Sequence, residues 1–248
     1  MSRPDLFLSN LPPDLTVETD VERLLLREYG SVFVAGTSVV PPPKIVFADQ
    51  ADVIAFQESV ERLPAEIGGF EMELQAAAME GLLSAISEAK AESLSITPRG
   101  PDSARRDYDG TVGLWASRVE PALDHWAGQG RLEDAEAKQI RSLTPFNQVP
   151  VVLGLEADGL WFAKDLSKSI IYSVAPPGTS QHLAMLAFDV MEFAERRVRE
   201  ILARNGWYQT VVSDLPHFTY LGVAENDLPN LGLKRVLSGE QAFWVPDI

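Results

Sequence analysis

No cysteine occurs anywhere in the 248 residues. The fold is therefore built without disulfides, and thiol nucleophiles and thiolate metal sites are excluded. A chain of this length buries roughly 70–75 % of the surface that its unfolded form exposes, enough for one large core or two modest ones. With 46 % hydrophobic and 23 % charged residues, it is far too apolar for a disordered chain. Charge narrows the partners. Thirty-six acids against 21 bases give a net charge of −15, which argues against nucleic acid and against anionic membranes. The densest basic run, Arg196, Arg197 and Arg199, sits in a helical pattern and reads as a solvated helix face. No apolar run approaches the roughly 20 residues that span a bilayer. Met1 to Leu15 has no apolar core of its own and does not read as a secretory signal. The lack of cysteine is compatible with cytoplasm and periplasm alike.

Periodicity places the elements. Leu15–Tyr29 predicts a helix, capped by Asp14 or Thr16, with Val21, Leu24, Leu25 and Tyr29 at helical spacing and Gly30 as its stop. Ser31–Ala35 and Lys44–Ala48 predict two short strands around the breaker Pro41–Pro43. Residues 1–69 are thus expected to be a lead-in segment packed on a main domain, 70–248. In that domain Phe70–Ala91, Tyr108–Trp126, Glu133–Leu143 and Glu192–Asn205 predict helices, with Pro121 kinking or splitting the second. Ser93–Thr97, Ile170–Val174, Trp207–Val212 and His217–Leu221 predict strands. Ala175–Ser180 is a breaker-rich loop, and His182–Asp189 is expected to be extended. Short strands mixed with segregated helices point to an α+β domain rather than regular βαβ winding.

Only three histidines are present, which makes each informative. His125, in Asp124-His125-Trp126, reads as a cation favourable at a helix C-terminus. His182 and Asp189 are seven residues apart. In an extended segment an odd separation sends the two side chains to opposite faces, so they converge only across a bend or bulge. On spacing alone, a loop histidine followed by an aspartate capping the next helix is the simpler reading. His217 lies on the last strand pair, three residues after Asp214. Two imidazoles and a carboxylate are nevertheless the ligand inventory of a catalytic zinc site with one open position. Gly-x-Ser-x-Gly is absent, so a serine triad has no support.

The stretch Ala175-Pro-Pro-Gly-Thr-Ser-Gln-His-Leu-Ala-Met-Leu-Ala-Phe-Asp-Val190 resembles the metal-binding signature of VanY-type D-alanyl-D-alanine carboxypeptidases. That group of zinc peptidases also holds VanX-type dipeptidases, lysostaphin-like enzymes and the Hedgehog signalling domain. Ser180, His182, Ala187 and Asp189 match in register, while Met185 stands where the family usually has glycine. Asp214-Leu-Pro-His-Phe-Thr-Tyr-Leu-Gly222 is similar to the second signature, Glu-x-x-His and an aromatic strand. Upstream, Arg106, Tyr108, Leu114 and Trp115 match a third block, with Thr111 in place of the usual glutamine. The three blocks span about residues 70 to 222.

The resemblance implies a small antiparallel sheet flanked by helices, as in Hedgehog and D-Ala-D-Ala peptidases. It also implies one Zn2+ per chain on His182, Asp189 and His217. Asp214 would hold the place of the general-base glutamate, with its carboxylate drawn back by about 1.5 Å, one C–C bond. Arg106 would bind the substrate carboxylate or the developing oxyanion; Arg105 beside it is an equal candidate, and a surface role for either stays open. Ser180 would help position substrate, or only satisfy local backbone. The implied partner is a peptidoglycan-derived stem peptide, first of all one ending in D-alanine, and the implied location is the periplasm or cell envelope. Two alternatives accompany this reading. One is a metal-binding relative without turnover that binds peptide or glycan. The other is a peptidase of the same group cutting another peptidoglycan bond.

Overall fold

The computed structural model describes residues 3–248, with side chains from Leu6 onward; Met1 and Ser2, which open the N-terminal stretch considered above, lie outside the described residues. In chain order the elements are α1 (Arg3–Asn10), α2 (Asp20–Tyr29), α3 (Gln50–Ser59), β1 (Arg62–Ile67), β2 (Phe70–Gln75), α4 (Ala76–Ala91) and α5 (Tyr108–Gly128). Then come α6 (Asp134–Arg141), α7 (Pro145–Ala157), β3 (Ala187–Asp189), α8 (Arg196–Arg204), β4 (Trp207–Tyr208), β5 (His217–Tyr220), β6 (Leu233–Ser238) and β7 (Gln241–Pro246). The class is α+β, with small antiparallel sheets flanked by helices. Among the described residues no helix is long and apolar enough to cross a membrane.

Contacts divide the chain into two compact units: residues 1–45, 54–106 and 181–248 form the first, and 46–53 with 107–180 the second. The boundary expected at 69/70 falls at the Gly68-Gly69 turn between β1 and β2, which pair antiparallel along their whole length.

In the first unit, α4 buries Ala78, Met79, Leu82, Ala85 and Ala89, the i, i+3, i+4 stripe of a core-facing helix. It packs on α8, which buries Val198, Ile201 and Leu202. The central sheet has the order β3-β5-β4, all antiparallel. Its register sets Asp189 directly opposite His217, Phe188 opposite Phe218 and Ala187 opposite Thr219. Because side chains alternate along a strand, one face carries Asp189, His217 and Thr219. The other carries Phe188 and Phe218, at most 1 % exposed. The second unit is built on α5, α6 and α7, which pack pairwise. Trp115, Val119, Leu123, Ile140, Val149 and Val152 are among its buried residues, and the Trp115 indole donates to Gln148 Oε1 at 3.0 Å.

Several local expectations are corrected. Helix α2 starts at Asp20 and is capped by Thr19 through a capping box with Glu22, not by Asp14 or Thr16. Gly30–Val34 and Ile170–Tyr172 are 3-10 turns, and no strand forms over 44–48. These are short apolar runs with every residue buried from Gly30 to Val34, and such runs carry no period that separates a strand from a buried turn. Phe70–Gln75 is a strand, so the helix expected from Phe70 begins only at Ala76. Residues 93–97 form no strand. Instead Pro98 bridges Val190 and Glu192 accepts from Thr97 N and Oγ1 at 2.8 and 2.7 Å, one step beyond the predicted segment. Pro121 lies inside α5, which runs on to Gly128.

Candidate metal centre

His182–Asp189 is not the extended run that its apolar character predicts. Gln181–Ala184 forms a 3-10 turn, Met185 takes the left-handed conformation (φ +55°), and only then does β3 begin. This is the bend that an odd spacing requires. His182 and Asp189 now face the same point, and cross-strand pairing adds His217 from β5. The strain of a non-glycine residue in this region, roughly 1–2 kcal/mol, falls on a fully buried side chain, so the packing of Met185 offsets it.

The three ligand atoms lie within 4.8 Å of one another, and this buried group could hold a metal ion. His182 Nε2 and His217 Nδ1 are each 3.3 Å from Asp189 Oδ1. Yet Oδ1, buried, has no hydrogen-bond partner among the described residues. The chemistry of the opposite ring atoms explains why. His182 Nδ1 is 2.7 Å from the Ala104 carbonyl, and His217 Nε2 is 2.8 Å from Gln181 Oε1. Both partners are oxygens that only accept, so the neutral rings must place their protons on those sides. Two imidazole lone pairs and a carboxylate oxygen are then left facing one another, an arrangement that a shared cation satisfies and a set of hydrogen bonds does not. The two edges to Asp189 agree with such a site: tetrahedral bonds of about 2.0–2.1 Å give edges of about 3.3 Å.

Burial holds the His182 imidazole below its usual range, which favours its neutral form. Arg106 Nη2 donates to Asp189 Oδ2 at 2.6 Å, which leaves Oδ1 as the ligand atom. Arg106 is anchored in turn by Nε donating to Asp102 O at 2.8 Å. The loop 99–106 also clasps the ligand backbone: Arg99 N donates to Asp189 O at 3.1 Å and Asp189 N to Ser103 O at 2.9 Å.

Of the residues singled out from sequence, the structure brings together His182, Asp189, His217 and Arg106. Arg105 is tied to Glu73 and Gln57 instead, which decides between the two arginines. Asp214 lies exposed on the turn before β5; His217 N donates to its backbone carbonyl at 3.2 Å, and its carboxylate has no partner among the described residues. Ser180 belongs to the second unit, as does Thr111, whose hydroxyl donates to Tyr108 O at 2.7 Å. His125 sits in the last turn of α5, as its reading as a helix-end cation requires. Sequence reasoning missed Ala104 and Gln181. A backbone carbonyl leaves no signature, and a glutamine beside His182 signals nothing until β5 delivers His217 to it.

Compared with known protein families, with curated proteins and with solved structures, the chain matches none.

Proposed function

We propose that the chain is a zinc-dependent hydrolase of peptidoglycan stem peptides, removing a C-terminal D-alanine. The observation that carries this reading is the convergence of two imidazole lone pairs and Asp189 Oδ1, each ring locked from behind by an acceptor-only oxygen. Two histidines and one carboxylate leave a position for water in a zinc site, and bound zinc supplies a water whose pKa falls to about 7. The order of the three sequence blocks adds the substrate class. In this reading Asp214 takes a proton from the attacking water and returns it to the leaving amine. Arg106 holds Asp189 in its ligand orientation and presents its guanidinium at the rim of the site, where a substrate carboxylate or oxyanion carries negative charge. A peptidoglycan substrate places the protein in the periplasm or cell envelope.

A second reading, a zinc-binding relative that holds peptide or glycan without cutting it, is favoured by one observation. The Asp214 carboxylate is exposed and unpartnered among the described residues, and one methylene shorter than a glutamate. Elemental analysis of chelator-free protein, with mass-spectrometric assay of a stem peptide ending in D-Ala-D-Ala, separates the two. The hydrolase reading expects one zinc per chain, release of D-alanine, and loss of both in His182→Ala. Zinc binding with no cleavage, and cleavage gained in Asp214→Glu, would establish the second reading. Cleavage at another bond would keep the hydrolase and overturn the carboxypeptidase assignment.

A further inference from the structure

Gln181 is only 3 % exposed, and all of its amide atoms are engaged. Its Nε2 donates to the backbone carbonyl of Tyr29 at 2.8 Å. Its Oε1 faces His217 Nε2 at 2.8 Å and also accepts from the Thr219 hydroxyl. The Thr219 oxygen in turn is 2.6 Å from Thr210 Oγ1, and because Thr219 gives its one hydrogen to Oε1, Thr210 is the donor of that pair. A carbonyl oxygen can only accept, so Tyr29 dictates which end of the amide points its way. The reversed amide would set oxygen against oxygen at Tyr29. With Oε1 facing the ring, His217 has one neutral form that fits: the proton on Nε2 and the lone pair on Nδ1.

We propose that Gln181 is a positioning residue that transmits the polarity of the Tyr29 carbonyl to His217 and locks the ring in its Nε2–H tautomer, so that Nδ1 is presented to a divalent cation. The inference rests on the metal-centre reading above and deepens it. Only an amide serves here, because the position needs a donor at one end and an acceptor at the other. Leucine supplies neither, and a carboxylate would face the Tyr29 carbonyl with a second acceptor. Tyr29 is the last residue of α2, and its backbone carbonyl accepts from the Gln181 amide. The N-terminal segment, for which the sequence suggests no task, thus orients a metal ligand that lies far along the chain. The oxygens behind metal-bound imidazoles typically govern affinity by 10–100-fold.

The test reads the ring directly. Long-range 1H–15N spectra of metal-free protein, labelled at imidazole nitrogen, report which nitrogen of His217 is protonated, and competition with a chromophoric chelator gives the zinc affinity. In the wild type, His217 is expected protonated on Nε2 alone. Gln181→Leu is expected to show a mixture of tautomers and zinc binding weaker by about 10–100-fold. Gln75→Leu is the control for lost stability: Gln75 is as buried and donates to Val40 and Ala184 carbonyls at 2.8 and 2.9 Å. It should leave the His217 tautomer as in the wild type. A wild-type ring protonated on Nδ1 overturns the proposal whether or not any variant folds. So does Gln181→Leu with unchanged tautomer and zinc affinity. A wild-type ring protonated on Nε2 in a protein with no zinc affinity supports the role of Gln181 and overturns the hydrolase reading instead.

Discussion

Arg106 and Glu156 show how differently two charges withdrawn from solvent behave. The Arg106–Asp189 pair is part-buried on both sides, with side chains 19 % and 13 % exposed. Removing one partner of such a pair leaves the other uncompensated. Arg106→Met keeps the stem and removes the donors; urea unfolding of the metal-free variant should show a loss of about 3 kcal/mol. Zinc affinity should fall by at least about tenfold, since Asp189 can then turn away from its ligand orientation. Glu156 stands alone. Burial raises its pKa, partly offset by hydrogen bonds from Ser169 Oγ, Ile170 N and Phe162 N. An unfolded chain therefore loses this proton at lower pH than the folded one. Below the unfolded value nothing is contributed; as pH rises from there through the folded pKa, stability is lost, and above it the loss is constant. Glu156→Gln keeps the Oε1 acceptor for both backbone amides. Urea midpoints at pH 4 and pH 7 should differ less in the variant than in the wild type, and an unchanged difference would show that Glu156 is not the source.

At the scale of elements, Gly81 tests the packing of α4. A Cβ there would lie 2.8 Å from Tyr220 Cε2 and 2.9 Å from the Asn205 carbonyl oxygen. Alanine gains about 1 kcal/mol of helix propensity, but backbone cannot yield cheaply, and overpacking costs about 1–3 kcal/mol. Gly81→Ala should lower the thermal midpoint; a rise would mean that α8 and β5 can move away from α4. The helices with the clearest apolar stripes, α4, α5 and α8, were legible because a 3.6-residue period survives any tertiary context. The strands were legible only in part. The segments His217–Tyr220 and Trp207–Tyr208 announce themselves by aromatic content, whereas β1 and β2, rich in glutamate, do not. The apolar stretches at 31–35 and 170–174 misled, because burial on all sides erases the alternation that marks a strand.

At the scale of the molecule, the ligands and the groups behind them come from distant stretches: Tyr29, Ala104 and Arg106, Gln181 to Asp189, and His217. A cation bound there ties these stretches together and binds the folded state alone. Zinc at a hundredfold excess over its Kd should add about 2.7 kcal/mol, raising the thermal midpoint by roughly 5–10 °C for a chain of this size. Calorimetry with zinc and with chelator checks this, and coincident midpoints would refute the centre. The amino-acid sequence by itself narrowed the ligand chemistry: without cysteine, a metal site can draw only on imidazole and oxygen ligands. It also determined the helical faces, which depend on local period. Tertiary structure alone decided that His182 and Asp189 share a face, through the left-handed bend at Met185. It alone chose Arg106 over Arg105, and set a Tyr29 carbonyl behind the glutamine that orients His217. Those decisions depend on through-space neighbours and on the direction of individual donors and acceptors, which no spacing along the chain encodes.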